Sequence, residues 1–559
     1  MVFPWLYFVF LCCTEEKSLL RELRNIVPTR CSPGYDPERG CMTGTREEIL
    51  QDIYNWAQDT GDIPSLLWMH GLAGSGKSAI ASTAAQWLDE QKCLGASFFC
   101  KRDDPHLQDP RLVLPHIASR LASIFPPFGK RVAAALRDDP HLGTEVIWRQ
   151  FNGLIKSAVL KLSENVWKRS RPLVVILDAL DECGTPETRR PLLSVVCEMS
   201  SLVPWLKVIV TSRPEKDIKR VFDIVHHGLR PLNLNEFDPF SDILAFTTQR
   251  MEVIRRHSRS LPLVWPGEEK TKIFARCAGH FFVWAQTACT FLEMDPVRRL
   301  ELVLAGSSHG RSYAALDKLY TIALEDSIPH GVDLDDQLFR NVVGTIVAVA
   351  TRDPLPVEAL AHFLKGDVSL IAINNIIECL GSVLYEDAHH DGAVRICHPS
   401  FMDFLMDSKR CPARFFIDLE WHNHNLVRLC LRTMMGGLQF NICGLESSLC
   451  FNVDIPDLEA RVKRAISSEL QYSCIHWPSH LDNVFGKKED MHLKISGLLK
   501  IFFDGAWPLY WLEALSLLGA VQSASHGLLV VIKWLAVSVA SRLGLISVRV
   551  ELTLSERRR

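Results

Sequence analysis

The sequence predicts an α/β protein whose core is a doubly wound parallel sheet, followed by mostly helical regions. Three observations support this fold class. A glycine-rich loop, Gly71–Ser78, lies between the apolar run 65–70 and a helix-like stretch that begins at Lys77. A second apolar run, 172–177, ends in acidic residues, and a third, 207–213, ends in an arginine. Apolar runs separated by helical stretches are typical of buried parallel strands joined by helical crossovers.

The composition is that of an ordinary globular protein. The 559 residues carry a net charge of −3, with 23% charged and 47% hydrophobic residues, so the chain is long enough for several domains. Because lysines and arginines are interspersed with acids, the charge pattern does not indicate nucleic-acid binding. The 17 cysteines form no C-x-x-C pair and no cluster with zinc-ligand spacing. We therefore expect reduced thiols in a cytoplasmic protein.

Both ends of the chain are apolar, and neither is predicted to cross a membrane. The first, Met1–Cys13, has no basic segment before it and is too short to span a bilayer. The second, Leu528–Val548, is interrupted by Lys533 and Arg542, and we interpret it as an amphipathic helix or a strand-like tail. Contact of either end with a membrane surface is the less favoured alternative.

The glycine-rich loop fits the pattern G-x-x-x-x-G-K-[ST] of a loop that surrounds phosphate groups. Glycines let backbone N–H groups turn toward phosphate oxygens, and the following helix adds its positive end. Lys77 is expected to bind the β- and γ-phosphates, and the Ser78 hydroxyl to hold Mg²⁺. The candidate nucleotide-binding residues in this segment are Gly71, Gly74, Ser75, Gly76, Lys77, Ser78 and Ala79. A plain strand-to-helix turn is the competing interpretation.

The acidic residues after the second apolar run are candidates for metal binding and catalysis. The run ends in Asp178-Ala-Leu-Asp181-Glu182. Asp178 follows the strand directly, so it can lie beside the phosphate loop and hold Mg²⁺. Glu182 or Asp181 could then position the attacking water. Acidic residues that merely solvate a loop are the alternative.

The third apolar run places Arg213 at the same edge of the predicted sheet. An arginine there can contact the γ-phosphate or the charge that develops during hydrolysis. Its competing interpretation is a surface arginine at a strand end. A further apolar stretch, Gly95–Cys100, supplies another strand.

These motifs, in this order, resemble a NACHT domain, and more narrowly the nephrocystin-like N-terminal NTPase module of fungal NLR-type, STAND-class proteins. The most specific motif is LVVILDALDE at 173–182, whose form separates NACHT from most other P-loop families. The resemblance covers most of Cys41 to about Leu518 and includes the stretches 44–49, 95–102, 208–214, 277–285 and 398–405. It implies a P-loop NTPase that binds ATP/ADP, with GTP possible, together with Mg²⁺.

The resemblance adds candidates outside the core motifs. Thr45 and Arg46 lie in a lead-in segment that is near the nucleotide base in NACHT proteins. From the residues alone, Thr45-Arg-Glu-Glu48 is a predicted capping box that opens a helix to Gln58. His398 follows a predicted hairpin, and a histidine here contacts the β-phosphate of bound diphosphate in NLR-type proteins. A structural histidine is the alternative.

One departure from the family pattern concerns the predicted small helical domain. Many STAND proteins have Gly-x-Pro there, with a proline that touches the nucleotide, whereas this chain has Gly279-His280-Phe281. The domain division that we predict is as follows: 1–40 unassigned; 41–235 NACHT P-loop NTPase domain; 236–330 helical domain; 331–410 winged-helix domain; 411–525 second helical region; 526–559 unassigned tail.

Three hypotheses for function follow. The first is a nucleotide switch in which diphosphate holds a closed form and exchange for triphosphate drives homo-oligomerisation and signalling, with at most slow hydrolysis. The second is a P-loop small-molecule kinase, for which we find no acceptor-substrate residues. The third is a truncated scaffold that does not signal. The guanine-reading N-K-x-D motif is absent, which favours adenine, and the sequence identifies no protein partner.

Overall fold

The computed structural model describes most of the chain. The described residues are 17–26, 33–61, 63–162, 172–224, 228–258, 260–306, 314–327, 333–350, 352–364, 368–388, 391–447, 450–484 and 489–542. They form two compact units, one of the described residues up to Ala323 with His398–Ser400, and the other of the described residues of Leu324–Cys397 and from Phe401 onward.

The first unit contains a five-stranded sheet in which every strand pair is parallel. Its strands are β1 (Leu66–His70), β2 (Leu94–Phe99), β3 (Leu173–Asp178), β4 (Leu206–Ser212) and β5 (Leu229–Asn233). The order across the sheet is β2-β3-β4-β1-β5. Strand β4 therefore separates β1, which leads into the glycine loop, from β3, which leads into the acidic motif. The predicted doubly wound parallel sheet is confirmed.

Helices cover both faces of this sheet, as continuous apolar strands require. One buried cluster joins Trp68, Phe98 and Val175 to helices on one face. A second joins Met69 and Ile176 to helices on the other face. The helices of this part are α1 (Glu47–Gln58), α2 (Lys77–Glu90), α3 (Pro110–Ile124), α4 (Pro126–Asp138), α5 (Ile147–Gln150), α6 (Ser157–Leu160), α7 (Pro186–Ser200) and α8 (Lys216–Ile224).

The start of α1 differs from the prediction. Arg46 precedes the helix with a φ of 58°, in the left-handed region, and no side chain caps the helix. The Thr45 hydroxyl instead donates a hydrogen bond to the Met42 carbonyl, at 2.7 Å. The predicted capping box is therefore wrong, because the Thr45 hydroxyl is used within the turn that precedes the helix.

The chain after β5 is helical, as predicted for 238–299. Its helices are α9 (Phe240–His257), α10 (Glu268–Cys277), α11 (Phe282–Leu292), α12 (Pro296–Gly306) and α13 (Ala314–Ser327). The first turn of α11 lies against the glycine loop, since the Val283 N–H donates to the Gly74 carbonyl at 3.3 Å.

The second unit is mostly helical and contains one antiparallel hairpin. Strands β6 (Leu384–Asp387) and β7 (Ala393–Ile396) pair as predicted. Asp391 and Gly392, which directly precede β7, have positive φ. The helices from residue 333 onward are α14 (Asp333–Ala350), α15 (Val357–Phe363), α16 (Leu370–Cys379), α17 (Pro399–Leu405, whose first two residues belong to the first unit), α18 (Leu419–Gly437), α19 (Leu458–Ala465), α20 (Ser468–Asp482), α21 (Glu489–Asp504), α22 (Trp507–Leu517) and α23 (Gln522–Arg542).

The two apolar ends are only partly described. The segment Met1–Cys13 lies outside the described residues, and 528–542 belongs to α23. Among the described helices, none has the length and apolar character needed to cross a membrane.

Candidate functional site

The glycine loop between β1 and α2 has the backbone conformation that its sequence predicts. Gly74 and Gly76 have φ of 77° and 91°, in the left-handed region that favours glycine. Gly74 also has no room for a side chain, because a Cβ there would lie 2.1 Å from Cγ1 of Val283. Helix α2 begins at Lys77, so its positive end faces the loop.

Lys77 lies within the loop. Its Nζ donates hydrogen bonds to the carbonyls of Gly71 (3.0 Å) and Leu72 (2.8 Å). Burial lowers the pKa of Lys77 to about 8, against the effect of the nearby Asp181 carboxylate, which raises it. Within the described residues, this half-buried ammonium donates its hydrogen bonds to main-chain carbonyls, which it can exchange for phosphate oxygens.

Asp178 and Ser78 lie together at the carboxyl end of β3. Burial raises the pKa of Asp178, while hydrogen bonds from Thr211 and Ser78 lower it. Thr211 Oγ1 donates to Asp178 Oδ1 at 2.5 Å and also accepts the N–H of Ala179 at 2.9 Å. A hydroxyl and a carboxylate in contact supply the hard oxygen ligands that Mg²⁺ prefers, so these two residues fit the metal.

The two remaining acids of the motif have different partners. Asp181 binds Arg213 twice, through the main-chain N–H of Arg213 (2.9 Å) and its Nε (3.3 Å). Glu182 accepts the main-chain N–H of Arg102 at 3.1 Å. Burial, followed by the neighbouring Asp181, raises the pKa of Glu182 to about 7. Asp181 is therefore committed to orienting Arg213, whereas Glu182 has the near-neutral pKa that suits a general base.

Arg189 is a buried member of this network that the sequence analysis missed. It is 2% exposed, and it donates to the Asp181 carbonyl (2.6 Å) and to Asp217 Oδ2 (2.6 Å). It also forms an ion pair with Glu215. Arg189 thus joins the acidic motif to the segment that follows Arg213. No motif marks it, since its partners lie on separate elements.

The lead-in candidates lie close to the loop. The Arg46 Nη2 donates to the Ser75 carbonyl at 2.9 Å. Arg46 is 5% exposed and Thr45 is 3% exposed. The structure therefore places the Arg46 guanidinium on the main chain of the loop, while contact of either residue with a nucleotide base stays a prediction.

His398 has local partners within the first unit. Its Nδ1 accepts the Ser400 N–H at 3.1 Å and lies 2.7 Å from Ser400 Oγ. Ser400 Oγ in turn lies 2.8 Å from the Tyr320 hydroxyl. These contacts fix the imidazole, and the predicted contact with a β-phosphate stays a prediction.

Comparison with known proteins shows which proteins this chain is similar to. Residues 44–213 match the family described as "Nephrocystin 3, N-terminal". The chain is 24% identical over 539 residues to the vegetative incompatibility protein HET-E-1 of Podospora anserina. That alignment covers 89% of this chain and 37% of the relative, so the chain spans little more than a third of that protein's length.

Two solved structures with 13% identity to this chain are also similar to it. The match to a Walker-type ATPase of Pyrococcus abyssi covers 64% of this chain and 94% of the ATPase chain, with a TM-score of 0.29. The match to Cdc6p of Pyrobaculum aerophilum covers 66% of this chain and 96% of the Cdc6p chain, with a TM-score of 0.31. The parallel sheet and the glycine loop define a P-loop NTPase fold. Within that class, residues 44–213 are similar to the nephrocystin-like NTPase family, and most of the chain is similar to HET-E-1.

Proposed function

We propose that this chain is a nucleotide-dependent molecular switch of the NLR type, which binds ATP/ADP, or GTP, with Mg²⁺ at the phosphate loop. The observation that carries the proposal is the convergence of Lys77, the Ser78–Asp178 pair and the Asp181–Arg213 pair at one edge of the sheet. Parallel sheets bind their ligands at this carboxyl edge.

Each residue then has a distinct role. Lys77 exchanges its loop carbonyls for β- and γ-phosphate oxygens. Ser78 and Asp178 would hold Mg²⁺, which would neutralise charge on the phosphates. Arg213, oriented by Asp181, contacts the γ-phosphate, and Glu182 accepts a proton from the attacking water.

The wider role follows the same proposal. The relative's name refers to vegetative incompatibility, which supports a role in fungal self/non-self recognition. Exchange of diphosphate for triphosphate drives homo-oligomerisation and signalling, and hydrolysis is slow. The scattered cysteines, without a paired spacing, favour a reducing compartment, so the proposal includes a cytoplasmic location.

The direct test is the identity of the nucleotide that co-purifies with the protein. We expect ADP or ATP after acid release from the wild type, and none from Lys77→Ala. Removal of Lys77 loses charge-assisted hydrogen bonds worth about 1.5–3 kcal/mol each. Equal affinities of wild type and Lys77→Ala for ATP, GTP and ADP would refute the site.

Two further measurements separate the alternatives. Turnover in the typical kinase range of about 1–100 s⁻¹ would favour the kinase hypothesis over a switch. Size measurement with ADP and with a non-hydrolysable triphosphate tests the switch, for which we expect a larger species with the triphosphate. One size under both conditions would favour the non-signalling scaffold.

A further inference from the structure

The phosphate loop is held from its outer side by groups that do not belong to the sheet. The Ser75 carbonyl accepts from Arg46 Nη2 at 2.9 Å, and the Gly74 carbonyl accepts from the Val283 N–H at 3.3 Å. In a trans peptide, the N–H of the next residue points away from the carbonyl. By holding the Ser75 carbonyl, Arg46 therefore directs the Gly76 N–H to the opposite side of that peptide.

Arg46 also contacts the helices that follow the sheet. Its guanidinium lies over the Phe282 ring of α11, with Cζ 4.8 Å from the ring centroid. Its Nε is 3.9 Å from Asp242 Oδ2 of α9. One buried cation thus contacts the loop, α9 and α11 at the same time.

The contact between α11 and the loop leaves little free space. Val283 packs so closely on Gly74 that even a methyl group at Gly74 would overlap it. Phe282 in turn packs edge-on against Phe246 of α9, with ring centroids 6.2 Å apart. A change in the main chain at Gly74 and Ser75 therefore has to move the first turn of α11 or break its contacts.

We propose that Arg46 is a positioning residue that couples the phosphate loop to helices α9 and α11. Its contacts stabilise both the conformation of the Ser75–Gly76 peptide and the position of the two helices, so a change in one affects the other. The effect of bound nucleotide on the helices rests on the proposed function, whereas the coupling in the nucleotide-free protein does not. Because such coupling is reciprocal, a ligand that fixes the loop also fixes the helices.

The test compares Arg46→Met with Arg39→Met. Arg39 lies seven residues before Arg46, with its side chain 61% exposed in an ion pair with Asp36, so it is a matched control. Hydrogen exchange of peptides covering 240–250 and 279–287 is measured with and without Mg-ADP.

In wild type and Arg39→Met we expect Mg-ADP to slow exchange in both peptides. In Arg46→Met, we expect affinity to fall roughly tenfold or more, as for loss of a hydrogen bond from a charged group. At saturating Mg-ADP, hydrogen exchange of the peptide 279–287 in Arg46→Met should no longer be slower than without nucleotide.

Phe282→Leu provides a second variant that leaves the Ser75 hydrogen bond in place. We expect it to reduce the protection transmitted to 279–287, with a smaller loss of affinity than in Arg46→Met. In the double variant the two effects should be non-additive, since both residues act through one contact. A purely structural role for Arg46 would lower the melting temperature but leave the nucleotide-dependent protection of the helices intact, and that result would overturn the proposal.

The outcome also distinguishes this inference from the proposed function. If the wild type binds no nucleotide, the proposed function fails. The coupling is then tested by hydrogen exchange of the nucleotide-free protein. There, Arg46→Met and Phe282→Leu should each speed exchange in 279–287 and in the loop peptide 71–78, relative to Arg39→Met. Unchanged exchange in both peptides would refute the coupling. If Arg46→Met does not fold, Phe282→Leu alone decides in the same way.

Discussion

Thr211 of β4 donates a hydrogen bond to Asp178 at the end of β3, with 2.5 Å between Oγ1 and Oδ1. The two residues lie on neighbouring strands of the sheet. The hydroxyl favours the ionised form of a carboxyl group whose pKa burial raises. Thr211 therefore favours the charge state of Asp178 that a metal ligand needs, and it orients the carboxyl group.

The first prediction concerns this pair. Thr211→Val keeps the shape of the side chain but removes the hydroxyl that donates to Asp178 and accepts the Ala179 N–H. We therefore expect Mg²⁺-dependent nucleotide affinity to fall about tenfold. Affinity in EDTA should change little. The measurement is a fluorescence titration with and without Mg²⁺, with Thr248→Val, on the exposed side of α9, as the control. An equal loss with and without Mg²⁺ would mean that Thr211 acts on the fold and not on the metal site.

The second prediction uses the raised pKa of Glu182, about 7. As a general base, Glu182 must be ionised, so single-turnover hydrolysis should rise about tenfold per pH unit below pH 7 and level off above it. Glu182→Gln should keep nucleotide bound, hydrolyse it slowly and lose this pH dependence. Asp178→Asn should instead weaken Mg²⁺-dependent binding. If the two variants behave alike, the division of roles between these carboxyl groups is wrong.

The third prediction concerns buried histidines in the second unit. His480 is fully buried, with Nδ1 2.7 Å from Asn423 Oδ1 and Nε2 2.7 Å from the Tyr472 hydroxyl. Burial lowers the pKa of His480 well below its usual range and that of His422 to about 4. Both imidazoles are thus neutral in the folded state.

Because these folded-state pKa values are lowered, the stabilisation is fully present above the unfolded pKa of about 6.5 and is lost as pH falls toward 4. For His422 alone, the free energy of unfolding should fall by about 2 kcal/mol between pH 7 and pH 5. Denaturant unfolding at the two pH values measures this. His422→Gln should show a weaker pH dependence, and His526→Gln, on an exposed site of α23, should match wild type. Equal pH dependence in all three proteins would contradict the prediction.

The elements around the loop could be predicted from sequence because their signals are local. Continuous apolar runs predicted β1, β3 and β4, and the helix predicted to begin at Lys77 begins there in the structure. Strand β5 gave no such signal. It lies at the sheet edge, is only partly buried and contains Arg230 and Pro231, so it lacks an apolar run.

The partners of the site residues could not be predicted, because they depend on strand order and helix packing. Thr211 meets Asp178 only because β4 lies between β3 and β1. Arg189 and Arg46 contact the site but lie outside its motifs. The sequence around each of them does not indicate which residues it contacts. The Thr45 capping box was wrong for a related reason, since a nearby carbonyl takes up the hydroxyl that the pattern assigns to the helix.

The last prediction tests the proposed switch at His398. Ser400 holds Nδ1 of His398 through its N–H and hydroxyl, and the Tyr320 hydroxyl lies beside that serine. A donor to the β-phosphate that acts only in the closed state contributes differential binding between two states. Loss of one charge-assisted hydrogen bond of about 1.5–3 kcal/mol would shift the equilibrium between the closed and open states roughly ten- to a hundredfold. His398→Ala should therefore release ADP faster by about that factor and raise the oligomeric fraction.

Ser400→Ala provides the graded control, because it removes the hydroxyl beside the imidazole and leaves the ring in place. We expect a smaller increase in the ADP off-rate, in the same direction. The experiment combines ADP off-rates by fluorescence, size measurement and thermal melting on the same samples. An unchanged off-rate in a folded His398→Ala protein would make His398 a structural histidine. A faster off-rate in Ser400→Ala than in His398→Ala would place the effect in the Tyr320–Ser400 contact and not in the imidazole.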